Sequence, residues 1–120
     1  NAGLMMLAAT VYLEVMGRRG LEAVARLSHA RARTLRDKLA AAGFAARFAG
    51  PVFDEVTVRV PRAAEVHAAL AEQGIFAGVT LEGVEGPADL RDCLVLCATE
   101  ANDEAQIDRL VAALAKEAGR

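Results

Sequence analysis

Residues 92–114 read DCLVLCATEANDEAQIDRLVAAL, and their pattern decides the fold. Cys93 to Ala98 is a near-continuous apolar run, as expected of a central strand covered on both faces. Thr99 and Glu100 then turn the chain polar, Asp103 can cap a helix with Gln106 three residues on, and Ile107, Leu110, Val111 and Leu114 recur at i, i+3, i+4 and i+7. A strand passing through a short polar turn into an amphipathic helix predicts a sheet with helices laid against it.

Working outward, Leu81 to Asp92 carries Gly83, Gly86, Pro87 and several acids, so a surface loop is expected there, long enough to lie over a site. Ile75 to Val79 reads as a strand. Ala63 to Gln73 reads as a helix with Val66 and Leu70 inward and Gly74 as its stop. In Val52 to Val60 the residues Val56, Val58 and Val60 alternate with Glu55, Thr57 and Arg59, which predicts a strand with one wet face, ended by Pro61. Phe44 to Phe48 is a further short strand, separated from it by the Gly50-Pro51 turn. Before these lie two helices: Leu4 to Met16, stopped by Gly17, and Leu21 to Ala42, with an inward stripe of Val24, Leu27, Leu35 and Leu39 and a stop at Gly43. The first has apolar residues on nearly every side, so a surface beyond this chain is expected to cover it. The whole predicts a two-layer α/β (α+β) fold, a small, mostly antiparallel sheet with helices on one face, formed by residues 1–120 as one domain.

Composition agrees with a folded chain. Of 120 residues, 54% are hydrophobic and 25% charged, and Ser28 is the one serine. One core fits this length, which excludes a multidomain enzyme within it. A net charge of -2 gives no reason to expect nucleic acid or an anionic membrane as main partner, and the longest apolar stretch, Leu4 to Val15, is too short and too interrupted to span a bilayer. Cys93 and Cys97, four apart on a strand, lie too far from each other to pair; they read as small core residues in a reducing, cytoplasmic compartment.

Little chemistry is spelled out by motifs. Lys38 and Lys116 are the lysines available for amine chemistry, and both read as solvated helix residues. His29, His67, Cys93 and Cys97 fall on separate elements without ligand spacing, so no metal site is expected. His67 reads as a polar residue at a helix edge. Arg26, His29, Arg33 and Arg36 form a basic stripe, ordinarily a solvated face, with an acidic partner as the alternative and nucleic acid disfavoured by the overall charge. Gly83-Val84-Glu85-Gly86 lacks the Gly-Lys-Ser/Thr ending of a phosphate loop and reads as a turn. Thr99-Glu100, between a strand end and a helix, is either a candidate site or simply the helix cap.

Taken in order, NAGLMMLAATVYLEVMGRRGLEAVARLSHARARTLRDKL, PVFDEVTVRVP, EQGIFAGVTL and DCLVLCATEANDEAQIDRLVAAL resemble the C-terminal part of the glycine dehydrogenase (decarboxylating) subunit 1 family, the P-protein of the glycine cleavage system in its two-subunit form. The resemblance implies the small C-terminal domain of a fold-type I, pyridoxal-phosphate-dependent enzyme, a fragment whose large domain lies upstream. It implies further that subunit 2 supplies the cofactor lysine. The assembled enzyme would decarboxylate glycine, with pyridoxal phosphate as electron sink, and pass the aminomethyl group to the lipoyl arm of the H-protein. No catalytic, cofactor-binding or metal-binding residue is then expected in this chain. Its share would be to close the cleft, with Ile75, Gly78, Thr99 and Glu100 nearest the substrate. Two alternatives remain at this point. One is the small domain of another pyridoxal-phosphate enzyme, such as an aminotransferase, for which Arg59 or Arg91 would have to bind a substrate carboxylate. The other is a free-standing amino-acid-binding regulatory module. The isolated piece, with its apolar first helix uncovered, is expected to self-associate and to be inactive.

Overall fold

The computed structural model describes residues 1–119. It contains α1 (Ala2–Ala41), β1 (Glu55–Arg59), α2 (Ala63–Glu72), β2 (Val79–Thr80), a 3-10 helix (Ala88–Asp92), β3 (Cys93–Cys97) and α3 (Glu104–Glu117). The strands form one antiparallel sheet in the order β1-β3-β2. Leu96 stands opposite Val56, Leu94 opposite Val58, and Val95 faces Thr57 on one side and Val79 on the other.

Pleating sends alternate side chains to one face, so Val56, Val58, Leu94 and Leu96 all meet the helices, and all are buried. Leu35 and Leu39 of α1, Val66 and Leu70 of α2, and Ile107 and Leu114 of α3 complete this core. Each fully buried aliphatic side chain contributes about 1.5–3 kcal/mol. The expected α/β layering, a small antiparallel sheet with its helices on one side, is thus the architecture found.

Two helix predictions hold in detail. α3 begins with a complete capping box: the Gln106 N–H donates to Asp103 Oδ1 at 2.7 Å, and the Asp103 N–H donates to Gln106 Oε1 at 3.0 Å. Gly17 interrupts α1 with φ 59° and ψ -179°, a conformation open to glycine, and the helix resumes directly after it rather than at Leu21. The inward stripe shifts slightly. Leu27 is 42% exposed, and the buried seam runs through Ser28, Ala32, Leu35 and Leu39.

Other expectations need correction. Phe44 to Phe48 forms a single bridge, Ala46 to Val58, because two backbone bonds, Arg47 N–H to Thr57 O and Arg59 N–H to Ala45 O, exhaust the pairing. The strand expected from Val52 starts at Glu55. Of Ile75 to Val79, Val79 alone joins the sheet, together with Thr80. The Ile75 N–H is spent on Leu70 O at the end of α2, and Gly78 turns into the left-handed region at φ 65°. The loop at Leu81 to Asp92 ends in the 3-10 helix, fixed by Asp89, whose carboxylate meets Arg47 Nε at 2.8 Å and Arg59 Nη2 at 2.9 Å. β3 is central, yet it is not covered on both faces: Val95 is half-buried and Cys97 exposed, since all three helices lie on the other side. Cys97 is therefore no core residue.

Ahead of Gly17 no other described element covers α1. Leu4, Met6, Leu7 and Val15 are 59%, 72%, 60% and 79% exposed. This projecting arm explains a radius of gyration of 16.3 Å, where a compact chain of this length would have about 13.6 Å.

Candidate functional site

Antiparallel pairing brings three segments to one edge of the sheet. β3 leaves there toward Thr99, while β1 and β2 enter there from Asp54 and Gly78. Gly78 packs directly on β3: a Cβ at this position would lie 1.9 Å from the Val95 carbonyl oxygen and 3.1 Å from Leu96 Cα. Across the strand, the Ala98 N–H donates to Asp54 O at 3.0 Å. Thr99 is three residues beyond Leu96, so Gly78 and Thr99 lie about 10 Å apart measured along β3.

The four residues singled out from sequence take different places at this edge. Ile75 is half-buried against the core and serves the end of α2. The Gly78 carbonyl lies 3.2 Å from His67 Nε2, so His67 is indeed a helix-edge residue, one that ties α2 to the entry of β2. Thr99 opens a tight turn. Its N–H donates to Asn102 Oδ1 at 2.9 Å, and its hydroxyl oxygen accepts the Ala101 N–H at 3.3 Å. Glu100 is anchored to α1: Ser28 Oγ donates to Glu100 Oε2 at 2.9 Å and accepts the Glu100 N–H at 3.1 Å.

Ser28 was missed from sequence, although it is 4% exposed and the one buried polar side chain among the described residues. The available signal was its spacing, since a serine at i-4 and i-7 from Ala32 and Leu35 must face inward and find a polar partner.

The electrostatics around the edge are mild. Burial pushes the Cys97 thiol up, and the nearby Asp54 and Glu55 carboxylates add to the effect; burial likewise raises Cys93. Lys38 lies between Glu104 and Asp108, and its hydrogen bonds to Asp108 and then to Glu104 raise its pKa above the ordinary 10.5. It is a clasp between α1 and α3, and its proton is held. Among the described residues, no three His, Cys, Asp or Glu side chains gather into a metal-binding set, and no helix is long and apolar enough to cross a membrane.

A hollow of about 340 Å³ between α1 and the segment 46–57 reaches the edge at Asp54, and another of about 460 Å³ lies under the loop at Gly83 to Pro87. The Asp54 and Gly78 carbonyls at this edge are engaged by Ala98 and His67, and Thr99 and Glu100 add one hydroxyl and one carboxylate. The edge does not make a complete active site.

No family model matches the chain. Curated proteins match it closely. A protein of Rhodospirillum centenum is 44% identical over 92% of this chain, one of Methylococcus capsulatus 44% over 97%, and one of Thermomicrobium roseum 45% over 95%. Each carries the name "Probable glycine dehydrogenase (decarboxylating) subunit 1". Among solved structures, a glycine decarboxylase (P-protein) of the glycine cleavage system, in inhibitor-bound form, superimposes with a TM-score of 0.75 at 29% identity, over 89% of this chain and 24% of that one.

Fold and matches together define a small α/β unit that corresponds to one part of longer proteins. Over nearly its whole length it is related to glycine dehydrogenase (decarboxylating) subunit 1, and it spans about a quarter of the length of the curated relatives it matches.

Proposed function

We propose that the chain is the small C-terminal domain of subunit 1 of a two-subunit glycine dehydrogenase. The assembled enzyme, in the cytoplasm, decarboxylates glycine and transfers the aminomethyl group to the lipoyl H-protein. The observation that carries this reading is 44–45% identity to the named relatives across more than nine-tenths of the chain. The exposed arm Leu4 to Val15 supports it, because a large domain upstream supplies the cover that the arm lacks.

Pyridoxal phosphate belongs to this reading, and the residues of this chain do not fit it. A cofactor lysine must lose its proton to react, whereas Lys38 is clamped in its charged form by Glu104 and Asp108. Lys116 is an exposed residue of the last turn of α3. The glycine-bearing hollow is lined by Glu82 and Glu85 as well as Arg91, an unfavourable setting for a phosphate group. On this reading the upstream domain and subunit 2 hold the cofactor.

The part left to this chain is to border the cleft and exclude water. Thr99 and Glu100 present one hydroxyl and one carboxylate there, while Ile75 and Gly78 fix the neighbouring turn. The test is glycine turnover by the complete subunit 1 with subunit 2 and H-protein. Thr99→Ala and Glu100→Gln are each expected to lower it by roughly tenfold to a hundredfold. Unchanged turnover in both variants would remove these residues from the cleft, and no turnover by the unaltered assembly would overturn the enzyme reading itself.

A further inference from the structure

Charge is unevenly distributed along the chain. Seven of its fourteen basic residues fall between Arg18 and Lys38, together with just two acids, Glu22 and Asp37. Arg26, His29, Arg33 and Arg36 recur three or four apart and so share one flank of α1. Arg26 and Arg33 are exposed and in no ion pair among the described residues, and Arg36 reaches no acid closer than its neighbour Asp37 at 3.9 Å.

The flank looks onto two exposed aromatic rings. His29 Nδ1 lies 3.3 Å from the Phe53 carbonyl oxygen, and its ring stacks on that of Phe53 with centroids 6.2 Å apart. Arg36 lines the 340 Å³ hollow with Phe48 and Phe53, each 56% exposed, and the Arg47 guanidinium lies 4.9 Å over the Phe48 ring. Arg36 and Arg47 border the two rings, while Arg26 and Arg33 continue the basic flank along α1, so that partly exposed aromatic rings lie at one end of a row of cationic side chains.

We propose that this flank docks an acidic protein segment bearing apolar side chains, its carboxylates meeting Arg26 and Arg33 and its apolar groups covering Phe48 and Phe53. Charge complementarity selects the partner. A nucleic acid is disfavoured because Asp54 and Glu55 line the same hollow and would face its phosphates, whereas a protein segment can set an apolar side chain there. The inference goes beyond the enzymatic reading and takes from it only the longer subunit in which this chain is placed.

The test uses the full-length subunit that contains this chain and three labelled probes, with fluorescence anisotropy at low ionic strength. The probes are a peptide of alternating glutamate and leucine pairs, poly-L-glutamate, and a DNA duplex of matched charge. The glutamate–leucine peptide is expected to bind best. Arg26→Glu combined with Arg33→Glu should weaken it by about tenfold or more with an unchanged melting temperature, and Arg26→Lys combined with Arg33→Lys should retain it. Phe48→Ala should weaken the glutamate–leucine peptide and leave poly-L-glutamate unaffected. Absence of binding, equal binding by the Glu variant, or a duplex that binds as tightly as the peptide would each overturn the proposal.

Discussion

Gly78 and Lys38 show how single residues hold this fold, one by what it lacks and one by what it carries. A methyl group at Gly78 would sit inside the van der Waals shell of the Val95 carbonyl, on a backbone already at φ 65°. Gly78→Ala is therefore expected to lower stability by at least about 2 kcal/mol, read by chemical denaturation, and a change within experimental error would show that β2 can lift away from β3 at no cost. Lys38 acts through charge. Because its partners raise its pKa above 10.5, the folded state holds the proton more tightly than the unfolded chain does. The clasp is then complete below pH 10.5 and is lost as pH rises through the raised value. The difference in melting temperature between the protein and Lys38→Met should stay level up to that pH and close above it; a difference that persists unchanged at higher pH would mean that packing, not charge, is what Lys38 supplies.

At the scale of elements, local signals were read well and non-local ones poorly. The start of α3 depends on residues within four positions of one another, so Asp103, Gln106 and the apolar period predicted it fully. Asp103→Ala should cost about 1 kcal/mol in an equilibrium unfolding experiment, most of it from the loss of a cap whose reciprocal bonds are both made. The break at Gly17 was equally legible. β2 was not, because Ile75 to Val79 has strand-like residues throughout, and only their surroundings reveal that Ile75 is taken by the end of α2 and Gly78 by the close approach to Val95. The uncovered face of β3 escaped for a similar reason: an apolar run does not say which of its faces the helices will choose. The candidate edge was half legible. Thr99 and Glu100 stand out as polar residues after a strand, but the bond from Glu100 to Ser28 joins positions 72 residues apart, and no periodicity carries that information.

The whole molecule is a packed body with an uncovered apolar arm. In isolation the arm has no partner but another copy, so the 120-residue chain is expected to self-associate, and a variant lacking residues 2–16 should return to monomer mass by light scattering with its remaining helical signal kept. A monomeric 120-residue chain at high concentration would mean that the arm is tolerated in water, weakening its support for an upstream domain. The position of the break in α1 has a mechanical side as well. The fifteen residues ahead of Gly17 make a rod about 22 Å long, so a rotation of about ten degrees at that one glycine carries the far tip through about 4 Å. With rigid helix on either side, Gly17 is a pivot with a long lever, and a modest change in its two backbone angles swings everything attached to the tip by the width of a side chain.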